Sequence, residues 1–198
     1  MTVVVVAYPQ RTPEQIAHQE ALTEQINADP RNPDYRFELA MAYAETGWIE
    51  LGWNQLALIP QLATDYHKRV LARYEPIVAA EPDNAAAYFR LAFAYYVDNQ
   101  KTAALDAFKS VLRTRPNHEW SMGLIALVLA DQGDYAAART WCKRALAING
   151  DALAIHFLLG KIDYETGNLW GVMGASVHVA RLKSIEAKYR PIPPKGLD

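Results

Sequence analysis

The sequence predicts an all-α solenoid: about four helix–turn–helix units, one of them degenerate, closed by a C-terminal capping helix. Two observations predict it. Small and large apolar residues recur at the same positions 34 residues apart, as from Leu91 to Ile125 and on to Leu159. Glycines and prolines punctuate each period where a turn or a helix end is needed.

Taken in order, residues 1–11 form an extended apolar arm. Its Val3–Val6 run is β-branched, lacks a helix period and has nothing obvious to pack on. Thr12-Pro13-Glu14-Gln15 is a capping box with proline at the first helical position, so a helix begins there and runs to about Ala28. That helix reads as the second half of a missing first repeat, closed by Pro30. Leu39, Ala40, Tyr43 and Gly47 then mark the first helix and turn of the next unit.

From Leu39 to Leu91 is 52 residues, one period plus 18, so something is inserted. The degenerate stretch 48–80 is helical in character but carries Pro60 and Pro76. Interior prolines remove a helix hydrogen bond and clash with the preceding turn. The expectation is a helix near 48–59, a break at Pro60 and a longer helix over 61–80 kinked or shortened by Pro76.

Clear repeats start at 85, 119 and 153. The first carries Tyr88, Leu91, Ala92, Tyr95, Ala104, Phe108 and Pro116. The second carries Met122, Ile125, Ala126, Leu129, Gly133, Ala138, Cys142 and Ala145, with Gly150 in place of the closing proline as a left-handed cap. The third carries His156, Leu159, Gly160 and Gly167. Small residues at these places let paired helices approach, and larger ones fill the space between. A long helix over 171–189, basic on its exposed part, caps the stack, and the Pro-rich tail 191–198 stops helix formation.

The aromatic-x2-Leu-small-x2-Tyr…Ala-x3-Phe…Pro spacing over 85–116 resembles the tetratricopeptide repeat family. The resemblance covers about 30–190, most strongly 85–150. It implies a right-handed α–α superhelix whose first helices line a concave groove. Family positions two, five, nine, twelve and thirteen, with the adjacent sixth, then place Phe37, Met41, Phe89, Arg90, Phe93, Tyr96, Trp120, Leu127, Phe157, Lys161 and Tyr164 there. The clamp of lysine and asparagine with which heat-shock-protein-binding members grip a carboxylate is absent at those places. What remains suits an apolar peptide or amphipathic helix from another protein.

Composition narrows the function. A formal net charge of −2 implies no broad polyphosphate-binding surface, and nucleic acid is not an expected partner. A single cysteine, Cys142, rules out an intramolecular disulfide and fits a reducing compartment. Neither a signal peptide nor a membrane span is legible, and a cytoplasmic location is expected. No phosphate-cradling loop, nucleophile elbow or metal-ligand spacing occurs, so no enzyme, cofactor or metal is expected. His156 reads as a packed histidine and Cys142 as a buried, inert thiol.

The expected function is a protein-interaction adaptor or complex-assembly factor. The alternative is a self-associating scaffold, with homo-oligomers formed through the N-terminal arm. Residues 1–60 carry eight acidic and three basic groups, and 181–198 five basic and two acidic, so the ends have opposite sign and favour head-to-tail contact.

Overall fold

A computed structural model describes residues 11–196. Among them are ten α-helices and no strand: α1 Pro13–Ala28, α2 Pro33–Glu45, α3 Ile49–Leu62, α4 Tyr66–Ala80, α5 Ala85–Val97, α6 Lys101–Thr114, α7 Glu119–Asp131, α8 Tyr135–Ile148, α9 Leu153–Glu165 and α10 Leu169–Tyr189. Four antiparallel hairpins, α2–α3, α5–α6, α7–α8 and α9–α10, make the stack. Val3–Val6 lies outside the described residues.

The local chemistry repeats from hairpin to hairpin. Helix starts are capped by side chains: Thr12 in the expected capping box, then Asn84, His118, Asp134 and Asn168, each accepting from the backbone N–H three residues on. Such caps contribute typically about 1 kcal/mol each. First helices end alike. Trp48, Gln100, Asp134 and Asn168 donate their backbone N–H to the carbonyl five residues back, with Gly47, Asn99, Gly133 and Gly167 in the left-handed region just before them. This is the Schellman closure, which needs one residue of positive φ. Asn99, at φ 58°, shows that asparagine serves where glycine is missing.

Three expectations are corrected. Pro60 does not break the chain: α3 runs two residues past it and ends at Leu62. Pro60 lies in the last turn, so only one hydrogen bond is forfeited before the helix would stop anyway. Likewise α4 begins at Tyr66, not near 61, and continues through exposed Pro76 to Ala80, with water free to satisfy the carbonyl at exposed Ala72. Gly150 is not left-handed either. The chain leaves α8 through extended Asn149, whose side chain accepts from the Asp151 N–H at 3.1 Å.

The inserted helix is α4, which packs on α5 and is tied to α2. Tyr66 donates to Asp34 at 2.8 Å and Tyr74 to Glu38 at 3.2 Å, while Arg73 pairs with Asp34. Burial first, and then the Asp34 carboxylate it donates to, push the Tyr66 phenol well above its ordinary range.

The two ends of the stack meet. Leu22 and Ile26 of α1, Leu39 and Tyr43 of α2, and Trp48 and Leu51 form one buried cluster with Leu153 of α9 and Leu182 of α10. Polar contacts follow the same seam: Arg190 pairs with Glu50 at 3.3 Å, and Arg11 donates to the Tyr189 carbonyl at 3.2 Å. The tail after α10 crosses the N-terminal helices. Lys195 donates its backbone N–H to Asn27, and fully buried Arg36 donates to the Lys195 and Gly196 carbonyls as well as to Pro30 and Gln55. The opposite charges of the two ends thus meet within one chain.

Two stability predictions arise here. Gly133 and Gly47 share the same backbone need, but a Cβ at Gly133 meets open space and one at Gly47 overlaps the Trp120 indole. Gly133→Ala should cost about 1–2 kcal/mol of left-handed strain, and Gly47→Ala a further ~1–3 kcal/mol of overpacking. Equal shifts in urea midpoint would contradict the packing of Trp120 on that turn. The second concerns His118, whose Nδ1 caps α7 only while unprotonated. Burial, with Arg115 nearby, lowers its pKa to about 4. Because the folded value lies below the unfolded one of about 6.5, this contribution is complete above pH 6.5 and is lost as the pH falls toward 4, by up to about 3 kcal/mol. Urea denaturation at pH 7 and 4.5 should show His118→Asn, which retains an acceptor, losing less than the parent chain.

Candidate functional site

The helices beside this seam enclose a cleft of about 470 Å³. Its apolar lining comes from four helices: Ile49 and Trp53 of α3, Trp120, Leu124 and Leu127 of α7, Leu153, Phe157 and Leu158 of α9, and Val179 of α10. Gly123 sits between the α7 residues, and a Cβ there would press on Ile155 at 3.1 Å, so its hydrogen lets α9 approach α7. The polar groups are Glu50, Asn54, Lys161, Lys183 and Glu186. Burial raises the Glu186 pKa, Arg190 opposes this, and the Glu50 charge adds to it. The cleft is therefore hydrocarbon-walled with charges of both signs among its lining.

Of the residues expected in the groove, Trp120, Leu127, Phe157 and Lys161 line this cleft. Phe157 is 63% exposed, available for contact without unfolding anything. Tyr164, also on α9, is exposed but is not among the lining residues.

Phe37, Met41, Phe89 and Phe93 are buried between helices. Phe89, Phe93 and Phe108 form an edge-to-face trio with centroids 5.2–5.9 Å apart, and Trp53 meets Phe93 at 6.0 Å. Such pairs add roughly 0.5–1.5 kcal/mol beyond their area, so these rings hold α3, α5 and α6 together. Phe37 and Phe93 also border a cavity of about 50 Å³ between α3, α4 and α5, too small for a peptide. Arg90 is engaged by Glu38 through contacts of 2.6–3.2 Å, and Tyr96 donates to Asp131. Both bridge helices within the stack.

Repeat spacing did not point to Ile49, Trp53, Val179, Lys183 or Glu186. The α3 residues fall in the degenerate stretch, and α10 was expected only to cap the stack. The charge asymmetry between the ends was the one signal that joined them, and the Glu50–Arg190 pair uses it.

The exposed part of α10 is not wholly basic. Its first half presents Leu169, Trp170, Met173 and Val177, each at least 60% exposed, and only its second half turns basic with Arg181 and Lys188. His156 is buried, donating through Nε2 to the Gly150 carbonyl at 2.8 Å and stacking on His178. Cys142 is buried, and burial pushes its thiol up to about 12. Among the described residues no group of three or more His, Cys, Asp or Glu is placed to hold a metal ion, and no helix is long and apolar enough to cross a membrane.

Solved structures share the fold. A MamA RS-1 ArsTM double mutant is 13% identical, with a TM-score of 0.58 over 87% of this chain and 86% of that one. MamA 41-end from Desulfovibrio magneticus RS-1 is 13% identical, with a TM-score of 0.54 over 90% and 89%. A further MamA crystal structure is 18% identical, with a TM-score of 0.52 over 89% and 92%. At these identities the likeness is one of fold alone. No curated protein matches the chain by sequence. The tetratricopeptide repeat profile matches residues 69–119, 94–153 and 124–169, half of the chain, and the chain belongs to that family of protein-interaction scaffolds.

Proposed function

We propose that this chain is an adaptor or complex-assembly factor that takes an apolar or amphipathic segment of another protein into the cleft between α3 and α7–α9–α10. The observation that carries the reading is the cleft itself: about 470 Å³ of apolar-walled space, the size and character of a ligand site, with charges to orient what enters. Trp53, Trp120, Leu127 and Phe157 supply the aromatic and aliphatic contacts that dominate peptide recognition. Lys161, Lys183, Glu50 and Glu186, all among its lining, suit a segment carrying charges of both signs. The role is binding and not bond-making. The histidines are dispersed through the sequence and the lone thiol is buried in the core.

A self-associating scaffold is the second reading, favoured by the exposed stripe on α10. A terminal repeat normally turns a polar face outward, and Leu169, Trp170, Met173 and Val177 do the reverse. A second copy laid across that stripe would bury it.

Both readings have direct tests. Peptides of twelve residues selected from a displayed library on the purified chain should be rich in apolar side chains. Phe157→Asp should weaken them roughly ten- to a hundredfold, the worth of one buried aromatic contact, with the helical circular dichroism unchanged. Unchanged affinity in the folded variant would remove the cleft as the site. For self-association, light scattering should give a mass above 22 kDa that falls to the monomer in Trp170→Ser/Met173→Ser. A monomer at all concentrations would end that reading.

A further inference from the structure

The first half of α10 turns an apolar stripe to solvent. Trp170, Met173 and Val177 recur on it at helical spacing with Leu169 at their flank, and all four are at least 60% exposed. Ala175 and Leu182, the buried residues of the helix, point away from that stripe, as do Val179, Lys183 and Glu186 of the cleft. Stripe and cleft therefore occupy different faces of α10.

The stripe is complementary to itself about Met173 and Gly174. Two copies of α10 laid antiparallel across a two-fold axis there set Trp170 of each against Val177 of the other. Gly174 lies at that crossing and is exposed, and a Cβ on it would meet nothing within 4 Å. Its missing side chain serves no packing within the chain, but it lets a second helix come close. Charge selects the same direction. Arg181 stands about 11 Å along the helix from the axis, and the other copy's α10 begins about 7 Å from it. Arg181 thus reaches the turn ahead of that helix, where Glu165 is exposed. Within its own chain its nearest carboxylate is Asp151, at 4.0 Å. A parallel pair would instead set Arg181 against Arg181. The area suffices as well: the four side chains leave on the order of 500 Å² in water, so a two-fold pair removes roughly 1,000 Å², enough for a specific interface.

We infer that the chain forms a closed dimer through α10, antiparallel about Met173–Gly174, with the cleft of each copy left free. The inference rests on the self-association reading and gives it a register. Two clefts on one dimer make it bivalent, so a partner carrying two apolar segments engages the second at a raised effective concentration.

Single cysteines on α10 read the register, because the native Cys142 is buried. Under mild oxidation Met173→Cys, at the axis, should give disulfide dimers at least tenfold more efficiently than Ser184→Cys, on the same face about 16 Å along the helix. Equal, efficient cross-linking at both positions would mean a parallel pair and overturn the inference. Gly174→Leu, which meets open space in the single chain, should lower the light-scattering mass from two chains to one with the helical circular dichroism unchanged. A dimer that survives it would overturn the close crossing. Arg181→Glu should weaken the dimer at least tenfold, and Glu165→Arg added to it should restore the affinity; no change in either variant would remove the charge pairing. Two failures are distinguishable. If Trp170→Ser/Met173→Ser dissolves the dimer but Met173→Cys does not cross-link it, the stripe self-associates in another register and only this inference falls. If the intact chain is a monomer at all concentrations, both fall.

Discussion

The packing of Leu182 and Leu153 against Leu22, Leu39, Tyr43, Trp48 and Leu51 is the contact on which the rest of this architecture depends. A stack of helical hairpins buries apolar surface only between neighbours, and its two ends are ordinarily left to solvent. Here the last helix returns to the first three. That contact brings α10 to the cleft, where Val179 and Lys183 join Ile49 and Trp53 of α3 in its lining. Without it, Ile49 and Trp53 would border open solvent and not a cavity. Arg36 fixes the same seam from beneath. Its guanidinium is fully buried and spends its donors on backbone carbonyls of Pro30, Lys195 and Gly196 and on Gln55. A buried charge is costly unless its hydrogen bonds are met, so the tail that supplies two of those acceptors is held in register with the N-terminal helices.

The inserted helix α4 contributes from the opposite side. Asp34 and Glu38 of α2 gather Tyr66, Arg73, Tyr74 and Arg90 into one polar seam joining α2, α4 and α5. Exposed pairs are individually worth little, but the Glu38–Arg90 pair is largely shielded and bidentate, which fixes orientation as well as energy. Behind it the Phe89–Phe93–Phe108 rings hold α5 to α6, and Trp53 reaches across from α3 to join them. Trp53 therefore has two roles, one edge in the core and the other in the cleft wall.

The sequence was legible where the chemistry is local. The capping box at Thr12, the left-handed Gly47, Gly133 and Gly167, and the anchors Leu91, Ala92, Ala104 and Phe108 each answer to a rule spanning a few residues or one period. The break expected at Pro60 does not occur because the cost of a proline depends on how near the helix end lies, which the residue itself does not announce. The groove was only partly legible. The family register says which face a side chain takes, but burial of that face depends on what lies across from it. For Phe89 and Phe93 the facing groups come from α3 and α6, and the α3 register falls in the degenerate stretch. Closure of the ends joins residues more than a hundred positions apart, such as Leu22 and Leu182, and such a contact leaves no periodic trace.

Closure also sets the energetics of binding. The seam combines one buried apolar cluster with surface pairs such as Glu50–Arg190, which are screened and weak singly. The cleft is lined from both sides of that seam, by Ile49 and Trp53 on α3 and by Val179 and Lys183 on α10. On the proposed reading, a segment that touches residues of both α3 and α10 makes its full set of contacts only while the ends are together, so that by linkage its binding would tighten the seam by the same free energy.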